Sequence, residues 1–172
     1  FGEIYWSSNT LTSLLPDATD FFTTSGIVID KEKIFFSSEE TFFSYDLILG
    51  KVIWENKVSS STTPIIDGKN IFIVTENGYF VILNKDTGEI ISSKNILKIL
   101  KKKKRNTKIS GFILGSKKIY SVTLNGYMIV SSAISGEVEL SKKIGDSISS
   151  SPIIHDGKLY ILTDKAKVIG FN

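Results

Sequence analysis

The apolar positions of this chain come in short runs, and the runs repeat. Residues 26–36 (GIVIDKEKIFF), 64–73 (PIIDGKNIFI), 111–120 (GFILGSKKIY) and 152–161 (PIIHDGKLYI) each read as an apolar strand, a tight polar turn and a second apolar strand. Asp67-Gly68 and Asp156-Gly157 supply two of these turns, because glycine takes positive φ without a Cβ penalty. A third strand follows each pair, at 41–46, 79–84, 127–132 and 167–171. Asn77-Gly78 and Asn125-Gly126 open two of these as strong hairpin signals. Glu39-Glu40 and Lys165-Ala166 hold the matching places with poorer turn chemistry. A fourth strand opens with glycine: Gly50 is followed four residues on by Trp54, and Gly2 by Trp6. Gly88 and Gly136 head copies that lack the tryptophan.

Gly50 and Gly88 lie 38 residues apart, whereas the steps from Gly2 to Gly50 and from Gly88 to Gly136 are 48 each. Insertions at 10–21 and 97–108 account for the longer steps. A base period near 40 with four strands per unit is that of a propeller blade. Helical repeats of this length need apolar residues at 3.6 spacing. The runs here are short, β-branched or aromatic, and bounded by turn residues.

The fold class is therefore all-β, a β-propeller of four-stranded antiparallel blades with about four blades in one segment, 1–172. The blades fall at about 26–58, 59–96, 109–145 and 146–172, the last with three strands, and residues 2–9 form a spare fourth strand. Unpaired sheet edges invite pairing. Three closures meet that need: residues 2–9 complete the last blade in a four-bladed ring, the chain is the C-terminal half of a larger propeller, or two chains exchange strands in an eight-bladed homodimer.

Composition narrows the classes of function. The chain has 172 residues, a net charge of +3 and no cysteine, which removes disulfides, thiolate metal sites and a thiol nucleophile. The charge is too small to call for nucleic acid, and no nucleic-acid partner is expected. No apolar run reaches the length of a membrane-spanning helix. The first residue is Phe1 rather than Met, so a longer or processed chain is expected, with any signal or lipid anchor upstream.

Two stretches carry a family resemblance. LNKDTGEI (83–90) and SYDLILGKVIW (44–54) resemble the quinoprotein-type propeller repeat: a small or apolar residue, Asp, a Thr-Gly turn, and Trp four after the Gly. The Ser-Ser-Pro start of a blade, as at Ser150-Ser151-Pro152, fits the same repeat. Within that class the chain is similar to the BamB-like outer-membrane assembly lipoproteins, whose chains also stop after a third strand; Asn172 is accordingly expected close to a natural C-terminus. The resemblance implies a non-enzymatic, eight-bladed interaction scaffold of the cell envelope that supports outer-membrane protein assembly. It implies the periplasm, or the periplasmic face of the outer membrane, as its place, and an outer-membrane assembly barrel as its protein partner. The alternative is a fragment of a PQQ-dependent dehydrogenase or other propeller enzyme. Such dehydrogenases need carboxylate-held calcium, a catalytic Asp and an Arg at the quinone.

Residue by residue, no catalytic, cofactor-binding or metal-ligating group is assigned, and no cofactor is expected. Arg105, the one arginine, sits in a lysine run, and His155, the one histidine, has no partner at ligand spacing. The serine runs 59–61 and 149–151 recur at one repeat position, which points to blade architecture. Gly2, Trp6, Gly50, Trp54, Gly88 and Gly136 are assigned as repeat-defining structural residues, with both indoles between blades. The run Lys101-Lys102-Lys103-Lys104-Arg105 follows an apolar stretch able to form a helical turn. It reads as a solvated loop, or as a contact for an anionic partner such as a membrane surface. Leu11, Leu14, Leu15, Phe21 and Phe22 of the first insertion read as cover for the propeller's own core, or as a docking surface.

Overall fold

A computed structural model describes residues 2–10, 24–104 and 107–172, with the backbone alone for 102–104. The described residues form a propeller segment of four antiparallel sheets. The first holds β1 (Val28–Asp30), β2 (Lys33–Ser38), β3 (Thr41–Asp46) and β4 (Val52–Asn56). The second holds β5 (Ile65–Asp67), β6 (Asn70–Val74), β7 (Tyr79–Asn84) and β8 (Ile90–Asn95). The third holds β9 (Ile109–Gly115), β10 (Lys118–Thr123), β11 (Tyr127–Ser132) and β12 (Val138–Lys143). The fourth holds β13 (Ile153–His155), β14 (Lys158–Leu162) and β15 (Val168–Phe171). Strand order in every sheet is sequential, so each is a meander. Register shifts once between the third and fourth strands, at Ser44/Tyr45, Ile82/Leu83 and Val130/Ser131 in turn. A bulge at one repeat position bends the last strand the same way in each complete sheet.

The middle strands explain the apolar runs. β6 and β7 are packed on both faces, so their residues are apolar without alternating with polar ones. Ile71, Ile73, Val81 and Leu83 face the first sheet, together with its Phe35 and Phe42. Their neighbours Phe72, Val74, Phe80 and Ile82 face the third sheet, with Phe112, Ile119 and Ile129. Val122, Met128 and Val130 then meet Leu159 and Ile161 of the fourth sheet. The core is thus a series of slabs between successive sheets, fed by opposite faces of the same strands. The last strands lie outermost, and Val52, Ile53, Ile90, Ile91 and Leu140 on them are exposed.

The spare strand expected at 2–9 is not there. Residues 2–10 are assigned to no strand, and among the described residues the sheet of β13, β14 and β15 has three strands. The physical reason is that a strand exists only beside another edge. Here the segment is held by its side chains on the first sheet, not by the edge of β15. Residues 11–21 of the first expected insertion lie outside the described residues. The second opens with a 3-10 helix, Ile96–Lys104.

Candidate functional site

The repeat residues come together as seats between sheets. In each complete sheet the turn between third and fourth strands is closed by one side chain. Asp46 Oδ1 accepts from the amides of Ile48 and Leu49, at 2.9 and 2.7 Å. Asn84 Oδ1 does the same for Asp86 and Thr87, and Ser132 Oγ for Ile134 and Ser135. The amides of Gly50, Gly88 and Gly136 then return to the carbonyls of Asp46, Asn84 and Ser132 at 2.9–3.0 Å. Those glycines take φ of 64°, 75° and 75°, the left-handed region that L-residues avoid.

Each turn receives the preceding fourth-strand segment. The Trp54 indole lies over Gly88, where a Cβ would collide with the ring, and its Nε1 donates to the Lys85 carbonyl at 3.1 Å. Asn56 Nδ2 donates to the Gly88 carbonyl at 2.9 Å. Phe35 and Phe42 pack on the other side of the indole, with ring centroids 6.0 and 5.9 Å away. Trp6 repeats this on the first sheet: its ring covers Gly50, its Nε1 donates to the Leu47 carbonyl at 2.9 Å, and it stacks on Tyr45. At Gly136 the seat holds Ser92 and Lys94 instead, with Lys94 paired to Glu137 at 2.9 Å. Gly2 lies under no such ring: a Cβ placed there would meet no described atom within 4 Å beyond its chain neighbours.

The opposite end of the sheets carries the loops that join one sheet to the next, beside the turns between second and third strands. The Ile96 amide donates to the Gly78 carbonyl, and Ile144 does the same to Gly126, at 2.8 and 2.9 Å. Leu97 fills the space over Gly78, whose φ is 79°. Ile96, Leu97 and Leu100 are buried in the slab between the second and third sheets. The apolar stretch therefore forms the helical turn read from the sequence, and it is anchored as part of the core. Lys101 breaks it with φ 49°, and Lys98 and Lys101 are exposed. The side chains of Lys102, Lys103 and Lys104, and all of Arg105, lie outside the described residues.

Acidic groups on this end are tied into the framework. Glu76 is held below its ordinary pKa chiefly by the ammonium of Lys108, 2.9 Å away, against the opposing effect of partial burial. Asp164 is lowered by the hydroxyls of Ser149 and Ser147, with Ser149 Oγ at 2.6 Å. The Asp146–Lys165 pair, at 2.8 Å, lowers the acid and raises the base. Asn125 Nδ2 donates to Thr107 Oγ1 at 2.6 Å. At the other end Asp86, exposed in its turn, is lowered by Lys33 of the neighbouring sheet at 2.8 Å. Such exposed pairs are screened by water and mainly align neighbouring sheets.

Among the described residues no three His, Asp or Glu side chains gather as a metal site, and His155 lies exposed beside Asp156. A groove of about 490 Å³ runs between the outer parts of the third and fourth sheets, along Tyr120, Glu139, Leu140, Ile154 and Phe171. Leu140, which lines it, takes the repeat position of Trp54. Among the described residues, this end of the sheets is a surface of short loops joined to the turns by backbone hydrogen bonds. Sequence reasoning missed Asp46, Asn84 and Ser132 as the closers of the glycine turns. The signal was a small hydrogen-bonding residue four before each glycine.

The family model for the outer membrane protein assembly factor BamB matches residues 15–94, just under half of the chain. No curated protein sequence matches. Among solved structures, BamB from Moraxella catarrhalis is similar at 13% identity and a TM-score of 0.68, over 85% of this chain and 41% of that one. The computationally designed Ika4 protein is similar at 11% identity and a TM-score of 0.72, over 99% and 98%. A quinohemoprotein alcohol dehydrogenase from Comamonas testosteroni is similar at 13% identity and a TM-score of 0.56, over 69% and 20%. The chain thus spans about two fifths of the BamB it resembles, and at these identities the likenesses to solved structures speak for the fold alone. Sheet order and structural likenesses agree on a β-propeller segment, and residues 15–94 of it resemble the BamB-type repeat.

Proposed function

We propose that this chain is a non-enzymatic protein-interaction scaffold of the cell envelope, supporting outer-membrane protein assembly in the BamB-like manner from the periplasmic side. The observation that carries the reading is the match of the BamB family model to residues 15–94. The geometry supports it. The loop end is rigidly seated, with the connection through Ile96, Leu97 and Leu100 locked into an inter-sheet slab. Its acidic groups Glu76, Asp146 and Asp164 serve the framework, which leaves surface shape and exposed lysines as its means of recognition. The partner is an outer-membrane assembly barrel, held on this end by loops on a stiff support.

The test is a binding titration of the purified assembly barrel in detergent against the immobilised chain. Saturable binding in the micromolar range is expected, weakened about tenfold by Lys98→Glu with Lys101→Glu and unchanged by Lys31→Glu at the opposite end. Absence of binding up to about 100 μM sinks the scaffold reading. Calcium-dependent binding of a quinone would replace it with the dehydrogenase-fragment alternative.

A further inference from the structure

Two neighbouring slabs are built on the same residues and finished differently. At the loop end of the second sheet stand Thr75, Asn77, Tyr79 and Ile90; the third sheet holds Thr123, Asn125, Tyr127 and Val138 at the same repeat positions. On the third sheet that surface is covered. Ile96, Leu97 and Leu100 of the 3-10 helix are buried in the slab, and Tyr127 and Val138 pack against the same cluster. On the second sheet Tyr79 and Ile90 are 45% and 49% exposed. They line a cavity of about 420 Å³ together with Val58, Ser59, Val81 and Ser93. Both sheets that bound it are complete, with four strands each.

The connection that leaves the first sheet makes the difference. Counted from the glycine that opens each fourth strand, Val58 and Ser59 hold the places of Ile96 and Leu97. This connection carries no insertion and forms no helical turn. The ladder before it also stops one pair sooner. Its last pair is Phe42 with Asn56, whereas the next two sheets run on to Tyr79 with Asn95 and Tyr127 with Lys143. The Ile96 amide donates to the Gly78 carbonyl, but the Val58 amide turns back to the Asn56 carbonyl at 2.9 Å. Among the described residues no amide of this connection reaches the carbonyl of Glu40, which holds the place of Gly78.

We propose that this cleft is a docking site for a protein partner, and that it takes a short apolar turn with leucine-size side chains three residues apart. The neighbouring slab shows that chemistry. There the same lining is met by Leu97 and Leu100, which fall on one side of a 3-10 turn, and the turn is fixed by one amide-to-carbonyl bond. In the cleft the Glu40 carbonyl is the matching acceptor, and Tyr79, Val81 and Ile90 are the matching apolar wall. The rim carries one charge of each sign, Glu40 and Lys57, which favours an apolar segment over a strongly charged one. Burial of a few aliphatic side chains and one backbone bond make a weak, specific contact of the helix-in-groove kind. The cleft lies one slab away from Lys98 and Lys101, so a partner can use it whether or not it touches those lysines.

The probe is a fluorescein-labelled peptide with the sequence of residues 95–101 (NILKILK), titrated with the whole chain by fluorescence anisotropy. Binding with a Kd of about 100 μM is expected. A peptide with serine in place of both leucines keeps the charge and should bind about tenfold more weakly. Ser93→Trp fills the cleft and Tyr79→Asp makes its wall anionic. Each should weaken the first peptide about tenfold, with melting curves showing that the variant is folded. The two variants change bulk and polarity separately, so one suffices where the other fails to fold. No binding up to about 1 mM overturns the proposal. So does equal binding of the serine peptide, or full-strength binding by either folded variant. The assembly barrel takes no part in the titration, so failure of the cleft and failure of the scaffold reading are seen separately.

Discussion

Trp54 and Trp6 are the same residue of the repeat resting on the same kind of turn, yet only Trp54 belongs to a strand. Both indoles lie over a glycine held at positive φ, and both donate to the carbonyl at the head of that turn's loop. Trp54 is also in ladder, opposite Ser44 of β3, and packed against Phe35 and Phe42. Trp6 stacks on Tyr45 and is paired with no strand among the described residues. The side-chain seat is thus a property of the receiving turn, whereas the strand is a property of an available edge. A third junction extends the lesson. At Gly136 the indole is replaced by Ser92 and Lys94, and the slab between second and third sheets gains Ile96, Leu97 and Leu100 from the 3-10 helix. Apolar burial supplied from a loop does there what the indole does elsewhere.

The comparison can be broken by substitution. Trp54→Ala removes a large, two-sided packed side chain and should destabilise by about 3–5 kcal/mol in chemical denaturation. An unchanged melting point would mean that the seat is decorative. Gly88→Ala puts a Cβ under the indole and imposes a left-handed conformation on an L-residue, for a loss of about 2 kcal/mol in the same measurement. A neutral result there would show that the turn relaxes without disturbing Trp54. Trp6→Ala, measured in dilute monomeric chain, should cost about 1 kcal/mol or less, because no ladder depends on it. A loss equal to that of Trp54→Ala would show that residues 2–9 are in a strand in solution.

Much of this was legible in the sequence because strands and tight turns are local. The third strands expected at 41–46, 79–84 and 127–132 are β3, β7 and β11. Period-two sterics and glycine turns act over a few residues and leave their mark on adjacent positions. Closers of the glycine turns were harder to read, since Asp46, Asn84 and Ser132 differ in type and share only a hydrogen-bonding atom near Cβ. Gly111 shows a further limit. It reads as the start of a strand, but the Ser151 backbone of the next sheet would contact any Cβ placed there, and only tertiary packing reveals that.

The sequence by itself determined the unit: four short strands, their turns, the glycine that receives a tryptophan, and about four repetitions. Those follow from dihedral preferences and from the alternation of side chains along a strand, which any segment carries with it. Tertiary structure decided which face of each strand meets which neighbour, why the apolar stretch before the lysines is core, and that residues 2–9 rest on the first sheet without joining one. These depend on groups far apart in the chain arriving at the same place, and a strand's partner is a matter of what edge lies beside it.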